Sequence, residues 1–258
     1  MNHSQKWADF TTDFDPKLYL KTYYACPDEE DRFIIRFMIA MLRKMPVDLM
    51  TLEFGGGPTL YAVAALAPRS HEIHFCDYVR ENFDAVQDWL DDHPDAYDWQ
   101  PYIEMVLEEE SMPVTPEAVA QRAADMRRKV TGLCRCDALA QTPLGPDARQ
   151  YDLVVAQAVT DSVATNFSEW VQVIDNISSL VKPGGGLLIS VITGTEYYTV
   201  GRKRYANLHL KVEDIFKGYE AAGYDPTTFY LKSMAAPAKR DYAGLTTAMA
   251  RKPDASCI

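Results

Sequence analysis

Three consecutive glycines, Gly55, Gly56 and Gly57, separate the half-apolar run Leu49-Met50-Thr51-Leu52-Glu53-Phe54 from Pro58-Thr59-Leu60. Glycine accepts positive φ and leaves no Cβ between the backbone and a bound molecule, so such a turn can admit a ligand at close range. Asp77 ends a second alternating run, His71 to Tyr78, and lies 20 residues after Gly57. That spacing is where a nucleotide-binding α/β fold puts an acid to accept ribose hydroxyls. Alone, Asp77 reads equally well as a solvated strand-end aspartate; paired with the glycine turn, ribose binding is the stronger reading.

The surrounding residues narrow the ligand. A dinucleotide fold needs G-x-G-x-x-G, the third glycine letting helix and strand pack closely against a pyrophosphate. Here Leu60 occupies that third position. A P-loop would need Lys-Ser or Lys-Thr after the glycines, and none follows. The pattern therefore suits a ligand with a ribose and no phosphates, and S-adenosyl-L-methionine is one.

The elements that would position these residues read clearly for most of the chain. Asp15-Pro16 is an N-cap and first helical residue opening Lys17 to Tyr24. Its aromatic face either packs on the domain, the plainer reading, or forms a lid over the glycine turn. Glu29 to Met45 carries apolar residues at helical spacing. Leu49 to Phe54 reads as a strand, with Pro58 at the first position of the helix after it. His71 to Tyr78 is a second strand, Glu81 to Leu90 a helix, and the segment after Trp99 is weakly patterned. A helix capped by Thr115-Pro116 leads to a third strand, Val130 to Cys136. Tyr151 to Gln157 is a fourth, buried strand, and a helix from Ser168 is stopped by Lys182-Pro183-Gly184-Gly185-Gly186. Strand five is Leu187 to Ile192. Thr193 to Asn207 has no pattern, Lys211 to Ala222 is a helix, and Thr227 to Lys232 and Gly244 to Arg251 are late strands. Together these predict an α/β fold with a doubly wound, mostly parallel, seven-stranded sheet. The expected organisation is a single domain over 1–258, with a helical cap or lid over 1–45 and an α/β core over 46–258.

Composition excludes several functions. The 258 residues are 47% hydrophobic and 24% charged, ordinary for a globular protein. A net charge of −11 argues against nucleic acid as a partner, because binding a phosphate backbone rests on Lys and Arg. No run is long enough for a membrane span, and Met1 to Asp9 has no signal-peptide pattern, so a cytoplasmic location and no membrane partner are expected. Five cysteines (Cys26, Cys76, Cys134, Cys136 and Cys257) fit reduced thiols. Cys134 and Cys136, in a predicted strand, are expected to face opposite ways and not to share a metal, and no metal site is expected elsewhere.

Further elements give the chain a family likeness. They are Phe14-Asp15-Pro16-x-x-Tyr19-Leu20-x-x-Tyr23-Tyr24, Gly55-Gly56-Gly57-Pro58-Thr59-x-Tyr61 and Asp77-Tyr78-x-x-x-Asn82. Trp89-Leu90, Pro94-x-Ala96-Tyr97-Asp98-Trp99 and Cys136-Asp137 with Pro143-Leu144-Gly145 follow. Leu180-Val181-Lys182-Pro183-Gly184-Gly185 and Tyr197-Tyr198-x-x-Gly201 complete the set. Over nearly its whole length the chain resembles the nicotinamide, phenylethanolamine and indolethylamine N-methyltransferases, with the Asp-Trp and Tyr-Tyr elements the most specific. The resemblance implies a Rossmann-like class I methyltransferase with an N-terminal helical lid, using S-adenosyl-L-methionine and releasing S-adenosyl-L-homocysteine. It implies that Tyr19, Tyr23 and Tyr24 enclose donor and acceptor, which favours the lid reading. Gly55, Gly56 and Gly57 would approach the donor's amino-acid part, and Thr59 and Tyr61 its carboxylate. Asp77 would take both ribose hydroxyls, with Tyr78 against the adenosine and Asn82 nearby. Asp137 and Ala138 would meet the adenine, and Gln157 the methionine moiety.

Methyl transfer from a sulfonium asks mainly for alignment and exclusion of water, so the acceptor pocket should be aromatic and closed. Tyr19, Asp161 and Glu196 are the catalytic candidates. Tyr23, Asp161, Val191, Thr195, Tyr198 and Asn207 are the acceptor-binding ones. Glu196 reads equally as a solvated loop residue, and Asp161 equally as a helix cap. Where the nicotinamide enzymes carry an acid at the end of strand five this chain has Val191, and Thr195 and Asn207 replace serines. Losing a buried polar partner selects strongly against the substrate that needs it. The expected acceptor is therefore a small aromatic amine or N-heterocycle, plausibly indolic, rather than nicotinamide. C- or O-methylation of a related aromatic compound and a non-catalytic donor-binding protein are the alternatives.

Overall fold

The computed structural model describes residues 7–238 and 240–254; the first six residues of the N-terminal stretch read above, and Cys257, lie outside them. Asp9 and Asp15 cap two short helices, α1 (Phe10–Asp13) and α2 (Pro16–Tyr23). Asp28 opens α3 (Glu29–Leu42) through a reciprocal capping box with Asp31. Then come β1 (Leu49–Phe54), α4 (Tyr61–Leu66), β2 (Ser70–Asp77), α5 (Arg80–Leu90), α6 (Gln100–Glu110), α7 (Pro116–Lys129) and β3 (Val130–Arg135). The chain continues with β4 (Tyr151–Gln157), α8 (Thr160–Val163), α9 (Phe167–Ser178) and β5 (Val181–Thr193). It ends in β6 (Tyr197–Val200), β7 (Lys203–Ala206), α10 (Val212–Ala221), β8 (Tyr230–Ala235) and β9 (Gly244–Arg251).

The expected seven-stranded sheet is present, in the order β3-β2-β1-β4-β5-β9-β8. The first five strands run parallel, and β9 lies antiparallel to both β5 and β8. The chain turns outward one way from β1 and the other way from β4, so a crevice opens beyond their carboxyl ends. Successive side chains of β1 feed two different cores. Leu52 and Phe54 pack with Trp170 and Ile174 of α9 and Ile215 and Tyr219 of α10, while α3, α4, α6 and α7 build the layer on the opposite face. Helix α2 packs on α5 and β6, over the crevice end of the sheet.

Several local expectations are corrected. The weakly patterned segment after Trp99 is helix α6, whose Tyr102, Ile103, Met105, Val106 and Leu107 are all buried. Burial on more than one face blurs the one-sided stripe that marks a helix in sequence. Pro58 lies in the glycine turn, and α4 starts at Tyr61 with Leu60 at its N-cap. Lys182-Pro183-Gly184-Gly185-Gly186 belongs to β5, at the place where its register against β4 shifts. A proline is tolerated in a strand at such an irregularity. The unpatterned stretch after β5 holds the β6–β7 hairpin. The Asp225 side chain caps a short 3-10 turn over Pro226–Thr228, which delays β8 to Tyr230. Cys134 and Cys136 do not face opposite ways. Both thiols lie with Cys76 in the layer beneath α9, because strand residues two apart share a face. Among the described residues no group of His, Cys, Asp or Glu is arranged to hold a metal ion, and no helix is long and apolar enough to cross a membrane.

Gly218 in α10 lets that helix lie directly on α9. A Cβ there would stand 2.3 Å from Cζ3 of the fully buried Trp170. Alanine in mid-helix normally stabilises relative to glycine. Here we predict the opposite sign: Gly218→Ala overpacks the core and costs about 1–3 kcal/mol, read as a lowered midpoint of thermal unfolding.

Candidate active site

The glycine turn is pinned to the neighbouring strand. Gly55 and Gly56 donate their N–H groups to the Cys76 carbonyl at 2.9 and 3.3 Å, and Gly55 and Gly57 have φ of 65° and 61°. A Cβ on Gly55 would lie 2.5 Å from Val159 Cγ2, and one on Gly56 2.5 Å from the Phe75 ring, so the protein itself forbids side chains there. At Gly57 a Cβ would meet nothing within 4 Å. The Asp77 carboxylate accepts the Gly57 N–H, the Val79 N–H and the Asn82 side-chain amide, each at 2.8 Å. Burial pushes the Asp77 pKa up, and these hydrogen bonds pull it back.

Around this turn lies a cavity of about 300 Å³. Tyr19, Tyr24, Gly55, Gly56, Gly57, Thr59, Tyr61, Asp77, Tyr78, Asn82, Asp137, Ala138 and Gln157 all line it. The two carboxylates, Asp77 and Asp137, stand among aromatic rings, and no Lys, Arg or His among the described residues is part of the lining. A wall of this kind repels phosphates and suits a cationic, ribose-bearing ligand, since aromatic faces attract a cation. Gln157 is 7% exposed, and neither its amide nitrogen nor its oxygen has a partner; Asn82 Oδ1 is likewise unpartnered. Buried polar atoms without partners mark a place where a ligand's hydrogen-bonding groups would be accommodated. Of the roughly four acceptor sites on a carboxylate, Asp77 has used three. The residues therefore fit S-adenosyl-L-methionine.

Sequence reasoning overlooked other parts of this lining, among them Phe10, Phe14, Cys136, Val159 and Ser162. It also overlooked Glu53, 1% exposed at the end of β1, whose burial without a resolved hydrogen bond drives its pKa well up. An acid just before a glycine turn, inside an otherwise apolar strand, was the available signal.

Six of these residues, Tyr19, Tyr24, Tyr61, Ala158, Ser162 and Tyr198, also line a second chamber of about 90 Å³. The tyrosines form a continuous cluster: Tyr24 stacks on Tyr61 at 5.7 Å, Tyr19 lies 5.6 Å from Tyr24, and Tyr23 meets Tyr198 edge-on at 6.4 Å. The Tyr23 hydroxyl donates to the Thr199 carbonyl at 2.8 Å, fastening α2 to β6, and the Tyr97 hydroxyl donates to the Tyr24 carbonyl. Tyr23 and Tyr198 thus stand in the second chamber. Val191, Thr195, Asn207 and Asp161 are buried and contribute to neither lining; Glu196 is exposed and lines neither. The Thr195 hydroxyl is spent on the Tyr197 carbonyl at 2.7 Å. Glu30, Asp31, Ile192, Arg240 and Tyr242 also line the second chamber, with Ile34 and Leu245, and sequence reasoning assigned none of the five a role in a site.

Comparison with known proteins agrees with this geometry. The sequence pattern of the NNMT/PNMT/TEMT family matches residues 2–253. Indolethylamine N-methyltransferase of Mus musculus is 28% identical over 225 residues, 83% of each chain. Nicotinamide N-methyltransferase of Homo sapiens is 27% identical over 257 residues, 94% of each chain. Among solved structures, the CcbJ methyltransferase of Streptomyces caelestis aligns with a TM-score of 0.57 at 14% identity, covering 95% of this chain and all (100%) of that one. An S-adenosylmethionine-dependent methyltransferase of Clostridium acetobutylicum aligns at 0.53 with 11% identity, covering 92% and 97%. At such identities the structural likeness speaks for the fold.

Asp161 behaves as a clamp. Its Oδ2 accepts the Ile192 N–H at 2.9 Å, its own carbonyl accepts the Leu208 N–H at 2.7 Å, and its Oδ1 has no partner. Complete burial pushes its pKa to about 7. The folded state therefore holds a proton that the unfolded chain, with an aspartate pKa of about 3.9, has released. This contribution to stability falls as pH rises from about 4 to about 7 and is flat above that. Asp161→Asn keeps an acceptor for Ile192 but cannot ionise. We predict that its unfolding midpoint rises relative to wild type as pH goes from 5 to 8. A difference that is constant across that range in thermal melts at matched ionic strength would refute this.

Proposed function

The chain belongs to the NNMT/PNMT/TEMT family and is an S-adenosyl-L-methionine-dependent methyltransferase, and we propose that it methylates a small aromatic amine or N-heterocycle, plausibly indolic. The observation that carries this reading is the second, tyrosine-walled chamber that shares a wall with the donor-type cavity. We assign the chain as one methyltransferase domain with α1 and α2 as its lid. When bound, the donor supplies a methyl group on a positively charged sulfur. In this reading Asp77 accepts ribose hydroxyls, Asp137 and Ala138 meet the adenine, and Gln157 takes polar groups of the methionine moiety. Gly57, Thr59 and Tyr61 hold the amino-acid end.

The protein's remaining task is positioning. Tyr19, Tyr24 and Tyr198 border both chambers, so they fix the acceptor against the donor and exclude water. Tyr19 is a positioning candidate rather than a base, because burial pushes its phenol pKa further up. Asp161 and Glu196 drop out of the catalytic assignment: the first is enclosed by protein and the second is exposed. The case against nicotinamide rests on the residue type at position 191 alone, since the buried Val191 lines neither chamber.

Two outcomes test this. Asp77→Asn should weaken S-adenosyl-L-methionine and S-adenosyl-L-homocysteine binding about 10- to 150-fold by isothermal titration, the worth of a hydrogen bond to a charged group. Incubation with the donor and a panel of arylalkylamines, indoles and pyridines should give a product one methyl heavier with the methyl on nitrogen, located by mass spectrometry. Donor binding with no turnover on any amine or heterocycle would refute the acceptor assignment, and methyl on carbon or oxygen would replace it.

A further inference from the structure

The charged end of the second chamber is built from residues far apart in sequence. Glu30 accepts Arg240 Nε at 2.5 Å on one oxygen and the Tyr242 hydroxyl at 2.8 Å on the other. Arg240 Nη2 donates to Asp28 at 2.9 Å. Among the described residues Arg240 is the one cation in that lining, and its charge is already committed to these two carboxylates. Asp31 is different. Its Oδ2 accepts the Asp28 N–H at 2.9 Å and the Tyr102 hydroxyl at 3.1 Å, while among the described residues its Oδ1 takes no hydrogen bond and the side chain has no ion pair. It is only 7% exposed, yet it borders the cavity. A carboxylate on the wall of a chamber of aromatic rings, with one oxygen not spent on a hydrogen bond, is an acceptor held ready for a cation.

Resting on the acceptor reading above, we propose that the substrate enters as an ammonium ion, that Asp31 binds it, and that Asp31 takes its proton. The acceptor is then a primary or secondary arylalkylamine rather than a pyridine-type nitrogen. An ammonium nitrogen has no lone pair to attack a methyl group. One N–H bond breaks and one O–H bond forms on Asp31, turning R–NH3+ and a carboxylate into R–NH2 and a carboxylic acid. The nitrogen's pair becomes free, and the proton passes to solvent after the product leaves.

The surroundings suit this exchange. Burial raises the Asp31 pKa to about 7, while the Asp28 N–H, the Tyr102 hydroxyl and Arg240 pull it down and the Asp28 charge pushes it up. Glu30 also faces the chamber, but its charge is matched by Arg240. From α2 and the residue that caps it, Tyr19, Tyr23 and Tyr24 face the same space; Tyr61 comes from α4, Tyr198 from β6 and Tyr242 from the segment before β9. All six phenols are shifted upward by burial and stay neutral near pH 7. Asp31 is therefore the group in that lining whose charge changes near neutrality.

The test compares tryptamine with tryptophol, which keeps the ring and chain but replaces the ammonium by a hydroxyl. Both are titrated calorimetrically into the full-length protein saturated with S-adenosyl-L-homocysteine. At pH 8 wild type should bind tryptamine at least 10-fold more tightly than tryptophol, and the preference should vanish in Asp31→Asn and at pH 5.5. Tyr102→Phe removes a donor that favours the carboxylate, so the pH at which the preference is lost should move upward; this arm decides if Asp31→Asn does not fold. Turnover of an amine should have a bell-shaped pH dependence of kcat/KM, bounded below by Asp31 and above by the amine. Equal binding of the two compounds by wild type, a preference that survives Asp31→Asn, or a rate that climbs steadily through the amine's own pKa would overturn the assignment. Failure to bind S-adenosyl-L-homocysteine would instead strike the donor reading, which this titration reports first.

Discussion

A buried carboxylate costs several kcal/mol unless hydrogen bonds compensate it, and at Asp77 the compensating donors are what organise the site. They come from the glycine turn, from the approach to α5 and from α5 itself. Keeping the carboxylate charged therefore fixes Gly57 relative to Asn82. The same strand end supplies the Cys76 carbonyl that holds Gly55 and Gly56. The ends of β1 and β2 thus behave as one unit. Neither glycine tied to Cys76 can be replaced without displacing Val159 or Phe75.

Charge then sorts what that unit can hold. The lining around the glycine turn combines two aspartates with aromatic rings and has no basic side chain among the described residues. A phosphate would find no counter-charge there, whereas a sulfonium would meet ring faces and a negative field. The lid extends the same environment. Helix α2 brings three tyrosines over the crevice, and its tether is a hydrogen bond from Tyr23 to the β6–β7 hairpin. A short helix of this kind has little stability of its own, so that tether and the ring contacts decide where it rests.

The legible parts of the chain were those governed by local rules. Strands β1, β2 and β4 are buried alternations or apolar runs bounded by turn residues, and the donor lining follows from them because it sits at their carboxyl ends. Helix α6 was hidden because burial on more than one face leaves no stripe. The β6–β7 hairpin was hidden because its polar and aromatic residues do not alternate. The second chamber was harder for a different reason. Glu30 and Arg240 are separated by 210 residues, and nothing near either in sequence points to the other. The cysteine pair was misjudged through the strand repeat itself, which puts residues two apart on one face.

Asp31 and Asp161 show why a perturbed acid cannot be assigned a role from its pKa alone. Burial lifts both to about 7. Asp161, fully enclosed, spends one oxygen on the β5 backbone, and protein surrounds the other. A proton gained there changes stability but reaches no substrate. Asp31 spends one oxygen on its own helix cap and Tyr102, and the side chain borders the second chamber, which shares lining residues with the larger cavity. The cap matters to the chemistry as well as to the helix. It holds the carboxylate in one orientation, so the remaining oxygen needs no reordering to meet a cation. Asp31 also lies in the first turn of α3, where the helix dipole favours the charged form against the desolvation that opposes it. A carboxylate balanced between those two effects is one whose proton affinity a nearby ammonium can tip.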